Sequence, residues 1–167
     1  MKKALIALAT LFTGFLSSQN TLSEKETNFV KMSEDHTLLE IKLAQLAQTN
    51  ASSMEVKNLA SALLSDHTKA SGELQQLAAK KNISLPSQLS DKSQKYYDKM
   101  SLKQGAEFDK SYTKCVVKSH KMGACYLKKE SKKAKDGEVK AWAAAEYPVL
   151  EQDSEKAKAT CKTIKKA

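Results

Sequence analysis

His67 is the residue of this sequence whose position points most directly to chemistry. It lies in the segment 54–81, where apolar residues recur at steps of three and four and therefore share one side of an α-helix. Its imidazole takes a place on this stripe that Leu or Ile would normally fill, and Asp66 directly precedes it. A titratable ring in a core position serves either as a metal ligand or as a partner for a buried carboxylate.

Glu40 and His36 lie on the preceding predicted helix, at or near the height of His67 along the bundle. The turn between the two helices, residues 50–53, is short and polar, so the helices are expected to pack antiparallel, and Ser53 at its end is the predicted N-cap of the second helix. Folding the chain back at this turn brings His36 level with His67 and places Glu40 about 6 Å away along the helix axis. Three polar groups from two helices are thus predicted to meet.

His120 extends this set, because it comes level with Asp153 when the chain is folded back near residue 136. Imidazole and carboxylate groups are suitable ligands for iron, manganese, zinc or copper. The candidate metal ligands are Glu40, His67, His120 and Asp153, with His36 and Asp66 as secondary candidates and Glu146 as a further nearby carboxylate. The same side chains could instead form a buried hydrogen-bonded network that fixes the packing of the helices without any ligand.

Helices must position these residues, because no segment alternates with the period of two that is typical of a strand. The predicted fold is all-α, a four-helix bundle with one short extra helix between the second and third main helices. The connection that carries the extra helix is long, so we expect a crossover to the opposite end of the first pair. Pro148 is expected to kink the last helix. The five predicted helices span 28–49, 54–81, 91–100, 105–134 and 138–165.

The first residues predict export of the protein. Lys2 and Lys3 precede an uncharged apolar run at 4–15, and the small residues Ser17 and Ser18 follow it. This pattern is typical of a signal peptide, predicted here at 1–19, which leaves a single bundle domain at 20–167. Because the apolar run is too short for a membrane span, the mature chain is expected in the periplasm, the outer envelope or the medium.

The basic charge of the chain does not indicate a nucleic-acid partner. The formal net charge is +9, but every basic residue is Lys and none is Arg. Arg provides most of the bidentate contacts by which proteins recognise phosphates and bases. Because the lysines are also interleaved with acidic residues, they are expected to cover an ordinary solvated surface.

Three cysteines leave one thiol unpaired in an exported protein. Cys115 and Cys161 differ in height by about 7 Å across the last predicted helix pair, so theirs is the one intrachain disulfide that the geometry allows, given some bending. Cys125 would remain as a buried small residue or as a thiol for dimerisation.

Several segments resemble the domain of unknown function 4142 family. They are FVKMSEDHTLLEIKLAQLAQTN, the segment SDHTKA with the downstream LAAKKNISLP, GAEFDKSY, and Tyr147-Pro148, within a resemblance that spans residues 28–159. The resemblance implies a ferritin-like four-helix fold and an exported protein of the kind often labelled an outer-membrane protein, and it implies no established reaction. Glu40, Asp66, His67 and His120 match family positions, whereas Asp153 stands where the family commonly has His.

Two functional hypotheses follow from these residues. The first is a non-enzymatic envelope or stress-related protein that acts through a partner or as a homodimer, since no complete catalytic motif is present. The second is a metal-binding or metal-dependent redox protein that uses the His and carboxylate residues of the core. An oxygen-activating di-iron centre is disfavoured, because the Glu-x-x-His pair of such ferritin-like sites does not occur in the chain.

Overall fold

The computed structural model describes residues 22–166, and the regular structure of this part is entirely helical. Its helices are α1 (Glu24–Asn50), α2 (Met54–Lys80), α3 (Asp91–Ser101), α4 (Gly105–Lys133) and α5 (Gly137–Thr163). The all-α prediction is therefore confirmed, and α5 runs as one helix through Pro148. The predicted signal peptide lies outside the described residues. Among the helices at 22–166, none is long and apolar enough to cross a membrane.

Helix α1 begins at Glu24 rather than at residue 28 because a capping box fixes its N-terminus. The Ser23 hydroxyl accepts a hydrogen bond from the Glu26 backbone N–H at 3.3 Å, and the Glu26 carboxylate accepts from the Ser23 N–H at 3.2 Å. The other Glu26 oxygen accepts from the backbone N–H groups of Lys135 and Asp136. Burial raises the pKa of Glu26, but these hydrogen bonds outweigh it and lower the pKa to about 2. Glu26 therefore joins the start of α1 to the α4–α5 turn.

Helix α2 has the N-cap that the sequence predicts and a defined C-terminal stop. The Ser53 hydroxyl accepts a hydrogen bond from the Val56 N–H at 3.4 Å. After the helix, Asn82 adopts a left-handed conformation with φ 54°, which Asn tolerates better than most residues. This turn lets the Ile83 N–H donate to the Ala78 carbonyl at 2.9 Å, so that a carbonyl of the last helical turn is satisfied.

The four long helices form a bundle in which neighbours run antiparallel. Helix α1 packs against α2, α4 against α5, and the contacts α2–α5 and α1–α4 close the bundle, while α3 packs against α1 and α4. The end of α2 lies beside the α4–α5 turn, where the Lys81 ammonium contacts the Asp136 carboxylate at 2.6 Å. The start of α4 lies at the opposite end, where Asp109 binds the α1–α2 turn. The segment 81–104, which carries α3, therefore returns along the length of the bundle.

A polar layer lies between two of the three apolar clusters of the core. At the end of the bundle that carries the α1–α2 turn, the largest buried side chains are Phe108 and Tyr112, whose ring centroids are 5.6 Å apart in a stacked arrangement. Toward the other end the core is formed around Val30, Leu74 and Val139. The buried polar side chains of the intervening layer are Glu34, Thr37 and Glu40 of α1, His67 and Ser71 of α2, His120 of α4, and Glu146, Asp153 and Ser154 of α5.

Asp109 is expected to be a major contributor to stability, because it joins α4 to the α1–α2 turn. This buried carboxylate accepts hydrogen bonds from the backbone N–H groups of Ser52 and Ser53, at 3.2 and 3.0 Å, and from the Ser52 hydroxyl at 2.6 Å. Asp109→Ala strands both N–H groups and should lower the free energy of unfolding by about 2–4 kcal/mol, measured by urea unfolding. Glu107→Ala, an exposed change on the same helix, is the control. Equal midpoints for the two variants would contradict this role.

Candidate metal centre

Three of the predicted ligands meet in the polar layer. Glu40 of α1, His67 of α2 and His120 of α4 each offer one ligand atom, and these atoms lie within 4.8 Å of one another. The residues are only 1%, 3% and 0% exposed, respectively. The Nε2 atoms of His67 and His120 are 3.2 Å apart. These predicted ligands therefore form one compact group, called the Glu–His–His cluster below.

Helical register explains why these side chains converge. On α2, His67 follows the buried Leu63 by four residues and precedes the buried Ala70 by three, so it lies in the middle of the inward face. On α4, His120 occupies the same kind of position between Val116 and Ala124. Helices α2 and α4 face each other diagonally across the bundle, so their imidazoles meet near its axis.

Ser119 donates a hydrogen bond to one oxygen of Glu40. Its hydroxyl donates to Oε1 of Glu40 at 2.8 Å and lies 3.3 Å from Nδ1 of His120. The second oxygen of Glu40, Oε2, is buried and has no hydrogen-bond partner among the described residues. Since most buried polar atoms have a partner, this oxygen is available for a cation or a further donor.

Burial keeps the two histidines of the cluster neutral. Burial outweighs the opposing effect of the Glu40 carboxylate and, together with the other two imidazoles, lowers the pKa of His67 to about 3. Burial likewise lowers the pKa of His120. Burial acts to raise the pKa of Glu40, but the three nearby imidazoles and the Ser119 hydrogen bond outweigh it, so the net direction is downward. A carboxylate beside two neutral imidazoles is the protonation state that metal binding requires.

The cluster fits a transition-metal ion in ligand type and in spacing. Two histidines and one carboxylate are the protein ligands of several catalytic zinc sites and of non-haem iron sites. The 3.2 Å between the two Nε2 atoms is close to the separation of about 3.4 Å that two nitrogens have on one tetrahedral zinc ion. The widest separation, up to 4.8 Å, requires only a small movement of the side chains.

His36 lies at the edge of the cluster rather than within it. Its side chain is 31% exposed, and its Nδ1 atom is 3.8 Å from Oε1 of Glu40. Its ring centroid is 6.4 Å from those of both His67 and His120. His36 therefore borders the cluster without belonging to the compact set of ligand atoms.

Asp153 and Asp66, the other predicted ligands, lie outside the cluster. Asp153 is fully buried, and its Oδ1 atom accepts a hydrogen bond from the Lys156 ammonium at 2.8 Å. Asp66 is half-buried, and one of its carboxylate oxygens lies 3.9 Å from the same ammonium. The two carboxylates thus share Lys156 in the groove between α2 and α5.

Glu146 is a buried carboxylate of the same groove with an unusual protonation behaviour. Burial, together with the negative charges of Glu73, Asp66 and Asp153, outweighs the opposing effect of Lys69 and raises the pKa of Glu146 to about 7.

Two further polar contacts were not predicted from the sequence. They are the Ser119 contact with Glu40 and the buried hydrogen bond from Ser71 to Glu34.

The cysteines are free thiols in the structure, so the predicted Cys115–Cys161 disulfide is not formed in it. Cys115 and Cys161 are both half-buried. Burial and the nearby Glu40 carboxylate raise the pKa of the Cys115 thiol to about 12, which disfavours the reactive thiolate. Cys125 is exposed, which corrects the expectation of a buried residue and leaves the alternative of an accessible thiol.

Comparison with known proteins supports the fold and identifies the family. Among solved structures, the fold is similar to that of CopM in the Cu(I)-bound form, with a TM-score of 0.60 and 17% sequence identity over 84% of this chain and 93% of that chain. At this identity the similarity shows a shared helical-bundle fold. No curated protein matches the sequence. The family model of a domain of unknown function, DUF4142, matches residues 15–160, and the chain therefore belongs to the DUF4142 family.

Proposed function

We propose that this protein binds one divalent transition-metal ion at the Glu–His–His cluster. The observation that carries the proposal is the convergence of a carboxylate and two imidazoles, from three helices, within 4.8 Å in a buried layer. The low pKa of His67 and of His120 supports it, because each neutral ring keeps a lone pair for a metal. The partnerless Oε2 atom of Glu40 supports it further.

The ligand set favours zinc or copper(II) over the other candidate ions. Iron, manganese, zinc and copper all accept imidazole and carboxylate ligands, but Zn²⁺ and Cu²⁺ bind more tightly than Mn²⁺ or Fe²⁺ at most such sites. The cluster contains no sulfur atom, which Cu(I) prefers. The likeness to CopM, solved in the Cu(I)-bound form, makes copper an ion to test in both oxidation states.

A second candidate function needs no metal. The 3.2 Å between the Nε2 atoms of His67 and His120 also suits a hydrogen bond between two neutral imidazoles of opposite tautomers. In that case the cluster is a polar layer that specifies how the helices pack, and the protein is a non-enzymatic envelope or interaction bundle.

A calorimetric titration of untagged, chelator-treated protein discriminates between the two. The proposal predicts that one equivalent of Zn²⁺ or Cu²⁺ binds per chain, and that Glu40→Gln weakens the affinity by at least about 100-fold because an anionic ligand is lost. Elemental analysis of the purified protein before chelation gives an independent measure of occupancy.

Glu34→Gln is the matched control for this titration. Glu34 is on the same helix, is 2% exposed against 1% for Glu40, and also accepts a hydrogen bond from a serine hydroxyl. Its substitution should leave metal affinity unchanged. If the unsubstituted protein binds none of the four metals, or if both glutamine variants bind alike, the metal proposal is wrong and the polar layer remains.

A further inference from the structure

The His36 side chain reaches solvent at the edge of the Glu–His–His cluster. The three residues of the Glu–His–His cluster are at most 3% exposed, whereas the His36 side chain is 31% exposed. It lies on α1, one helical turn before Glu40, so both side chains share one face of that helix. His36 therefore extends from the edge of the cluster toward solvent.

The His36 ring is held in the groove between α1 and α4 by its surroundings rather than by hydrogen bonds. Its Nε2 atom is buried and has no partner among the described residues. That atom lies next to Gly123 of α4, where an added Cβ would be 3.7 Å away. Because Gly123 has no side chain, Leu150 of α5 packs directly against it, 2.6 Å from where an added Cβ would be, and the His36 ring lies against the same glycine.

The opposite groove, between α2 and α5, already holds a cationic side chain beside its carboxylates. The Lys156 ammonium lies 2.8 Å from Asp153 and 3.9 Å from Asp66, so a positive charge already occupies the space between these carboxylates. The ammonium would repel a metal ion that approached from this side, and it already binds one of the two Asp153 oxygens. In the α1–α4 groove, Glu40 forms no ion pair with a lysine among the described residues.

We propose that a metal ion enters and leaves the buried cluster through the α1–α4 groove, bound on the way by His36 together with Glu40. This inference rests on the proposed metal-binding function. The 3.8 Å between Nδ1 of His36 and Oε1 of Glu40 allows both atoms to bind one ion after a small adjustment.

Glu40 is the ligand that the two positions share. In the outer position the ion is held by His36, Glu40 and water. As it moves inward, its bonds to His36 and to water break while bonds to Nε2 of His67 and of His120 form, and Glu40 stays bound. No electron or proton transfer is needed. Without an outer ligand, exchange would require the bundle itself to open.

Stopped-flow kinetics with Co²⁺, whose visible absorption reports tetrahedral coordination, tests this route. For His36→Gln we expect association to slow by about tenfold or more, and dissociation into excess EDTA to slow by the same factor, so that the equilibrium Kd stays within about threefold. Asp66→Asn, a polar change in the α2–α5 groove, is the control and should leave both rates unchanged.

A rescue experiment adds a second measurement that does not depend on one variant. In His36→Ala, free imidazole at millimolar concentration can enter the space that the side chain leaves and should restore the association rate. Unchanged rates in His36→Gln, or slowing in Asp66→Asn instead, would overturn the proposed route. A raised Kd with unchanged association would also overturn it, since His36 would then be a permanent ligand. If the unsubstituted protein binds no Co²⁺, the proposed function itself fails and the route with it.

Discussion

When the pH is lowered from 7 to 4 in the presence of chelator, the free energy of unfolding should fall by about 3 kcal/mol less in the His67→Leu variant than in the unsubstituted protein. The folded-state pKa of His67 is about 3, whereas the ordinary value is 6.5. Between these values the unfolded chain binds a proton that the folded chain excludes. Stability therefore falls as the pH falls from about 6.5 toward 3, and Leu removes this dependence.

Urea unfolding at four or five pH values is the measurement, and the difference between the two proteins reports on His67 and on its effect on the pKa of Glu40. Glu26, with a folded-state pKa of about 2, also destabilises the fold below about pH 4.5. Glu146 acts in the opposite direction, because its pKa of about 7 means that stability is lost as the pH rises from 4.5 to 7. Both residues are present in both proteins, so their effects cancel. Parallel pH profiles would show that His67 takes up a proton as readily in the folded protein as in the unfolded chain.

The height of each cluster residue could be predicted from the sequence because helix rise is nearly invariant. Two short turns of recognisable polar residues fix where the helices fold back, and the rise per residue then places His67 opposite α1 and His120 in the same layer. His67 also carried a second signal, its position on an apolar stripe. Glu40, His67 and His120 were predicted on these grounds, and they are the residues that meet.

The direction of a side chain around the helix axis could not be predicted in the same way. Asp153 has the height that was predicted, but Lys156, three residues later on α5, binds its carboxylate, and the pair lies outside the cluster. The contact from Ser119 to Glu40 gave no sequence signal, because a serine beside a histidine is an ordinary neighbour. Such contacts depend on the rotation of each helix in the bundle, which the packing of all four helices decides together.

Local sequence chemistry was readable where its partners are close in the chain. The Ser53 cap of α2 needs only residues of its own first turn, and it was predicted. The start of α1 was misplaced, although Ser23 and Glu26 have the spacing of a capping box. Its stabilisation also comes from Lys135 and Asp136, which are distant in sequence. The exposure of Cys125 likewise depends on how α4 is rotated.

Metal-dependent stabilisation should be the largest effect of a ligand on this protein. At a free Zn²⁺ or Cu²⁺ concentration 100 times the Kd, a site confined to the folded state adds about 2.7 kcal/mol, or a rise of about 8 °C in melting temperature for a domain of this size. His67→Leu removes one of the three proposed ligands, so its melting curves with metal and with chelator should nearly coincide. Differential scanning calorimetry under both conditions is the measurement.

The chelator-treated curves of the same variants separate a ligand from a packing residue. His67→Leu fills an apolar stripe but leaves Nε2 of His120 and the Glu40 carboxylate without that imidazole, at a cost of about 1–3 kcal/mol if those groups remain unpaired. Glu40→Gln in the same background should recover part of this loss, because it removes the buried charge. If His67 serves only to pack the helices, the melting curve of the variant in chelator shifts to lower temperature, and added metal changes the melting temperature of neither protein. A variant whose chelator curve stays in place while its response to metal disappears identifies His67 as a ligand, because loss of packing alone cannot produce that combination.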